Sequence, residues 1–140
     1  MQKATSRGTR IAHIGIAVDA LDRILPFYRD LLDLPEQPLA DADGARIAGV
    51  RAGDVLVELL EAKSPDSPIG KFVAKRGPGI HHIAIKVTNI RKALSELKAK
   101  GARLIDETPR IGANGCLVAF IHPSATNGVL LELVEHRDLI

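Results

Sequence analysis

The chain begins its first regular segment with Ala12-His13-Ile14-Gly15-Ile16-Ala17-Val18, and this segment returns as His81-His82-Ile83-Ala84-Ile85-Lys86-Val87. A second segment, Val57-Glu58-Leu59-Leu60-Glu61, returns as Leu131-Glu132-Leu133-Val134-Glu135. The two histidines, His13 and His82, lie 69 residues apart (82 − 13), and Glu58 and Glu132 lie 74 residues apart (132 − 58). Each half of the chain therefore supplies one histidine and one glutamate at equivalent positions.

The repeated pairs predict a divalent-metal site with four ligands: His13, Glu58, His82 and Glu132. If the two halves close on each other, two imidazoles and two carboxylates meet, and this donor set suits a borderline or hard ion. We expect Co²⁺, with Mn²⁺, Ni²⁺ or Zn²⁺ as alternatives. The ligand set contains no cysteine, which argues against a structural zinc site. Four protein ligands on an ion that accepts six leave positions for substrate oxygens, so the pattern favours a catalytic site.

Strand periodicity separates these glutamates from their neighbours. Residues two apart in a strand face the same way, so Glu61 and Glu135, each three residues further on, should face the opposite side and be solvated. The repeat register aligns His82, rather than His81, with His13. His81 is therefore predicted to face away, as a group that supports the ligands or contacts the substrate.

Apolar periodicity predicts a βαβββ unit that occurs twice. Asp19 and Asn89 are predicted to cap the first helix of each unit. The predicted strands are 11–18, 46–50, 55–60, 81–87, 103–105, 117–121 and 129–134, and the predicted helices are 21–32, 69–75 and 90–100. The pattern predicts an α+β fold with an antiparallel-rich sheet, not a parallel βαβ fold.

The predicted domain organisation is a disordered tail over residues 1–10 and a single domain over 11–136, made of modules at about 11–76 and 77–136. The composition is 46% hydrophobic and 26% charged, which is typical of a globular protein. A net charge of +2 gives no case for nucleic acid, and no apolar run reaches the length of a membrane span. The single cysteine, Cys116, suits a reducing compartment, so we expect a cytoplasmic protein.

The chain resembles the vicinal oxygen chelate superfamily and, within it, the methylmalonyl-CoA epimerases, from about Ile11 to Glu135. The combination of Asp66-Ser67-Pro68-Ile69, His81-His82 and His122-Pro123 points to the epimerases. The matching stretches are His13–Val18, Glu58–Glu61, Asp66–Ile69, Gly79–Ala84, Ile111–Ala113, Phe120–Pro123 and Gly128–Leu133.

The resemblance implies an isomerase that interconverts (R)- and (S)-methylmalonyl-CoA by removing and returning the C2 proton, through a metal-stabilised enolate. It implies a curled sheet around the metal, an acyl-CoA substrate, a homodimer, and Glu132 as both ligand and base. Some members carry a second glutamate in the strand before the hairpin, where this chain has Arg46–Val50 without a carboxylate. The second acid/base group is therefore unassigned, with His81 or a bound water as candidates. Many relatives also have lysine after the His-Pro pair, where this chain has Ser124.

Other residues have open interpretations. The loop Gly112-Ala113-Asn114-Gly115 is either a turn or a source of N–H groups for a substrate oxygen. Lys71, Lys75 and Arg76 either meet the CoA phosphates or form a solvated face.

Two alternative functions remain open at this point. A glyoxalase I-type lyase uses the same ligand set on a glutathione hemithioacetal, and a non-catalytic protein of this fold binds a small molecule. An intact four-residue ligand set argues against a binding-only role. An extradiol dioxygenase fits poorly because it uses two histidines and one glutamate.

Overall fold

The fold is described by a computed structural model that covers residues 9–112 and 115–136. The described residues form two compact units, one over 13–81 and a second that joins 9–12 to 82–112 and 115–136. The predicted tail falls mostly on residues 1–8, outside the described part, and Arg10 already belongs to the first strand. No helix within the described ranges is both long enough and apolar enough to cross a bilayer.

The first unit has a mixed sheet flanked by helices. Strand β4 pairs in parallel with β1 and antiparallel with β3, and β2 pairs with β3, which gives the order β2-β3-β4-β1. The elements are β1 (Arg10–Val18), α1 (Leu21–Pro26), a π-helical turn (Phe27–Leu31), β2 (Glu36–Gln37), β3 (Ala45–Ala52), β4 (Val55–Ala62) and α2 (Pro68–Arg76).

The second unit repeats this topology. Strand β8 pairs in parallel with β5 and antiparallel with β7, and β6 pairs with β7, which gives the order β5-β8-β7-β6. The elements are β5 (Gly79–Lys86), α3 (Ile90–Ala99), β6 (Arg110–Ile111), β7 (Leu117–Ile121), a 3₁₀ turn (Pro123–Ala125) and β8 (Leu131–Glu135). The predicted α+β fold with two βαβββ modules is confirmed.

Each sheet buries its helix-covered face. In the first unit, α2 packs Ile69 against Ala17 and Leu60, which lie opposite each other on β1 and β4. In the second unit, Ile90 and Leu94 of α3 pack against the side chains of β7 and β8 that face the helix. Burial of the isoleucine and leucine side chains, each contributing about 1.5–3 kcal/mol, stabilises both units.

The helix predicted over 21–32 is wrong beyond Pro26. Pro26 has no N–H to donate to the carbonyl of Asp22, so α-helical bonding stops there. Leu32 N–H instead donates to Phe27 O (3.0 Å), five residues back, in a π-helical turn. The predicted apolar face is consequently not buried throughout, and Leu31 is 77% exposed.

The strand predicted over 103–105 is also wrong, and a short strand was missed. Leu104 forms only an isolated β-bridge to Ile121. The N–H of Phe120 on β7 donates to the Asp106 carboxylate (2.8 Å), so this N–H is bound by a side chain instead of by the backbone of a neighbouring strand. The paired strand lies further on, at Arg110–Ile111. Strand β2 was missed because two residues, Glu36–Gln37, are too few to show alternation.

Candidate metal centre

The first unit brings together one of the predicted ligand pairs. His13 Nδ1 lies 3.5 Å from Glu58 Oε2, and both side chains are largely buried, at 13% and 17% exposure. The register places Glu58 opposite Gly15, two residues beyond His13, so the histidine and the glutamate share one face of the sheet.

The second unit repeats this pair. His82 Nε2 lies 3.3 Å from Glu132 Oε1, with side-chain exposures of 8% and 10%. Glu132 stands opposite Ala84, again two residues beyond the histidine. Phe120, for which no role was predicted, lies opposite Glu132 on β7 and packs edge-on against the His82 ring, with 5.8 Å between centroids. Phe120 therefore limits the orientations open to that imidazole.

The spacing within each pair fits two ligands of one ion. Metal–nitrogen and metal–oxygen bonds of about 2.1 Å at roughly a right angle put two ligand atoms about 3 Å apart. The observed 3.3 and 3.5 Å are close to this value. Two imidazole–carboxylate pairs are compatible with a divalent metal, and the geometry does not select a particular ion.

The prediction that Glu61 and Glu135 are solvated is wrong. The Glu61 carboxylate is only 14% exposed, accepts the Leu21 N–H (2.7 Å) and binds Arg46. The Glu135 carboxylate accepts the Ile90 N–H (2.9 Å). Each carboxylate therefore satisfies a backbone donor at a helix N-terminus, where negative charge is stabilised.

This arrangement also corrects one of the predicted helix caps. The N-cap position of α1 is Ala20, and Asp19 does not cap it, because the Glu61 carboxylate supplies the acceptor. The predicted cap of α3 is confirmed, since Asn89 Oδ1 accepts the Lys92 N–H (3.1 Å).

The epimerase-like motif Asp66-Ser67-Pro68-Ile69 forms the start of α2. Ser67 Oγ accepts the Gly70 N–H (3.1 Å) and donates to the carbonyl of Ser64 (2.7 Å), while Pro68 occupies the first turn. A Cβ atom at Gly70 would lie 2.4 Å from Ser64 O, so this position requires glycine. These contacts give the motif a clear structural role.

The motif His122-Pro123 forms a 3₁₀ turn. Ser124 N–H donates to His122 Nδ1 (3.0 Å), so this nitrogen acts as an acceptor, and Ser124 Oγ lies 2.9 Å from the same atom. Ser124 therefore takes part in closing this turn.

His81 packs against α2. Its ring contacts Phe72 edge-on, with 5.0 Å between centroids, and the Arg76 guanidinium lies over the Phe72 ring at 5.8 Å. Lys71, Lys75 and Arg76 are exposed along this helix, and their contact with CoA phosphates stays a prediction. The predicted N–H donors of the loop 112–115 fall partly on Ala113 and Asn114, which lie outside the described residues.

A cavity of about 490 Å³ lies in the first unit between α1, the π-helical turn and β1. Its apolar lining includes Ile16, Val18, Ile24 and Phe27. Ile16 and Val18 alternate with His13 along β1 and so face the opposite side of the sheet. The cavity is therefore separate from the His13–Glu58 pair.

Comparison with known proteins identifies the family of the chain. The family model described as Glyoxalase/Bleomycin resistance protein/Dioxygenase superfamily matches residues 12–120. The chain is 41% identical over 130 residues to the uncharacterized protein YqjC of Bacillus subtilis, covering 91% of this chain and 93% of that protein. It is 39% identical over 129 residues to the mitochondrial methylmalonyl-CoA epimerase of Homo sapiens, covering 90% of this chain and 73% of that protein.

A solved structure extends the similarity to the fold. The structure of a methylmalonyl-CoA epimerase in complex with methylmalonyl-CoA and NH4+ matches with a TM-score of 0.85 at 36% identity, covering 91% of this chain and 94% of that chain. The sequence resemblance is thus confirmed, and the chain belongs to the glyoxalase/bleomycin resistance protein/dioxygenase superfamily and, within it, to the methylmalonyl-CoA epimerases.

Proposed function

We propose that this protein is a metal-dependent isomerase that interconverts (R)- and (S)-methylmalonyl-CoA. The observation that carries the proposal is the largely buried histidine–glutamate pair, which occurs at the same register position in both units. Membership of a family whose named members are methylmalonyl-CoA epimerases supports this choice of substrate.

The proposed ligands are His13, Glu58, His82 and Glu132, and we favour Co²⁺, with Mn²⁺, Ni²⁺ and Zn²⁺ as alternatives. Two imidazoles and two carboxylates suit ions of this class. A divalent ion held by these groups supplies a Lewis acid for the negative charge that develops on the thioester oxygen as the C2 proton leaves. The Phe120 contact with His82 and the largely apolar strands around the glutamates keep the ligand side chains in place.

We propose Glu132 as the group that accepts the C2 proton. Its carboxylate is 10% exposed and is held beside His82, so water competes little for its oxygens. A positioned base of this kind contributes about 10²–10⁴-fold to the rate. Inversion at C2 also needs a proton delivered from the opposite face, and this chain has no carboxylate in Arg46–Val50 for that step.

Deuterium incorporation from D₂O at C2 of methylmalonyl-CoA tests the proposal. The protein is treated with a chelator, reloaded with each of the four ions, and compared with Glu132→Gln. We expect exchange that depends on the metal and falls at least 10²-fold in the variant. The exposed Glu107, paired with Lys98 at the surface, provides a matched control, and Glu107→Gln should retain full exchange.

Two outcomes would favour the alternatives. Metal-dependent turnover of a glutathione hemithioacetal without exchange at C2 would favour the glyoxalase I-type lyase. The absence of both activities, with metal bound, would favour a protein that only binds a small molecule.

We also propose a cytoplasmic homodimer. The single cysteine is compatible with a reducing compartment. Exposed apolar side chains at Phe27, Leu31 and Leu32 offer a surface for a second copy. Light scattering coupled to size-exclusion chromatography should give twice the chain mass of 15.0 kDa, and a mass of one chain would refute the dimer.

A further inference from the structure

Helix α2 packs on the face of the first sheet that carries the His13–Glu58 pair. Its apolar side chains, Phe72 among them, pack against Ala17 and Leu60. Ala17 lies four residues beyond His13 on β1, so the two side chains share one face of the sheet. Leu60 lies opposite Ala17 and two residues beyond Glu58, which is about 7 Å along β4. A ligand bound at the pair is therefore a neighbour of α2.

The second half of α2 is basic. It carries Lys71, Lys75 and Arg76, and the helix contains no acidic residue. All three side chains are exposed, and none of them forms an ion pair with a carboxylate of the described residues. Lys71 and Lys75 lie one helical turn apart and are neighbours on the helix surface. Three positive charges that a ligand can reach thus lie within two turns of helix.

Arg76 is oriented for the recognition of an anion. Its guanidinium lies over the Phe72 ring, 5.8 Å from the centroid, and Phe72 in turn contacts the His81 ring. Within the part of the chain that the structure describes, no hydrogen bond uses the N–H donors of this guanidinium. Its planar fork matches two oxygens of a phosphate. Stacking on Phe72 therefore holds the guanidinium while its donors stay available to a ligand.

We propose that the basic end of α2, formed by Lys71, Lys75 and Arg76, binds the phosphates of the acyl-CoA substrate, an assignment that rests on the proposed function. CoA carries a diphosphate and a ribose phosphate, which the pantetheine arm separates from the thioester by roughly 15 Å when extended. The nine residues of α2 span about 13 Å. Because these lengths are comparable, a thioester held at the His13–Glu58 pair can place its phosphates at the basic end.

Calorimetric titration of the metal-loaded protein with malonyl-CoA and with malonyl-pantetheine tests this assignment, because only malonyl-CoA carries the phosphates. In the double variant Lys75→Gln/Arg76→Gln, the Kd for malonyl-CoA should rise roughly 5- to 30-fold, as expected for the loss of two exposed charge contacts with phosphate. The Kd for malonyl-pantetheine should change less than about twofold. Added salt should weaken malonyl-CoA binding more in the unmodified protein than in the variant, since salt screens exposed charges.

The matched control is Arg91→Gln/Lys92→Gln on α3, which removes the same two charges from adjacent exposed positions. This variant should bind both thioesters like the unmodified protein. An equal loss of malonyl-CoA affinity in the control would indicate a long-range charge effect and overturn the assignment. Equal weakening of both thioesters in the α2 variant, or unchanged malonyl-CoA affinity, would also overturn it. Absence of metal-dependent exchange at C2 in the unmodified protein would overturn the proposed function instead.

Discussion

Replacement of Glu135 should destabilise the second unit through a single backbone hydrogen bond. The Glu135 carboxylate accepts the N–H of Ile90, a fully buried residue in the first turn of α3. In Glu135→Ala this N–H loses its acceptor, which costs about 1–3 kcal/mol for an unsatisfied buried donor. Loss of the negative charge at the helix N-terminus adds about 0.3–1 kcal/mol. We therefore expect a loss of roughly 1.3–4 kcal/mol in the free energy of unfolding.

Glu135→Gln separates these two contributions. Glutamine keeps an acceptor oxygen in place and removes only the charge, so we expect a loss of about 0.3–1 kcal/mol. Urea denaturation followed by circular dichroism gives both values from the midpoints, provided the slope is unchanged.

The exposed pair Glu107–Lys98 serves as the control for this series. Its side chains are 61% and 66% exposed, and Glu107→Ala should cost less than about 1 kcal/mol because exposed ion pairs contribute little. A Glu135→Ala variant that unfolds within about 0.5 kcal/mol of the unmodified protein would refute the reasoning, since an unsatisfied buried N–H costs more.

Two further predictions concern packing and reactivity. Gly70→Ala should destabilise the protein strongly, because the new Cβ would lie 2.4 Å from Ser64 O, while Gly79→Ala, with nothing within 4 Å, should leave the Tm nearly unchanged. Burial, together with the negative charge of Glu132, raises the pKa of the Cys116 thiol, so alkylation by iodoacetamide at pH 8 should be slower than for a free cysteine. Glu132→Gln should speed this alkylation, and an unchanged rate would contradict the electrostatic contribution.

The sequence predicted those features that leave a repeated or periodic pattern. The spacing of His13, Glu58, His82 and Glu132 predicted two equivalent pairs, because strand periodicity and the duplication impose the same register twice. Asn89 was predicted correctly as a cap because capping acts over three residues of sequence.

The features that were not predictable depend on contacts between distant segments. The capping of α1 by Glu61 joins residues 40 apart, and this contact overrides the local candidate, Asp19. The hydrogen bond from Arg51 to Gln37 (2.8 Å) was not predicted, because Gln37 lies on β2, a strand of two residues that is too short to show alternation. The π-helical turn after Pro26 also escaped detection, because the apolar spacing looks helical on either side of the proline.

Strands β4 and β8 each carry two glutamates with different roles. Substitutions at the two positions should therefore be tolerated differently. Glu61 and Glu135 hold helix N-termini, whereas Glu58 and Glu132 pair with histidines. In a library selected only for cellular abundance, Glu61 and Glu135 should stay fixed while Glu58 and Glu132 drift toward apolar residues. Selection for turnover should then fix all four. A lineage of this fold that lost its chemistry would retain one carboxylate in each strand, three residues after the position of the one it lost.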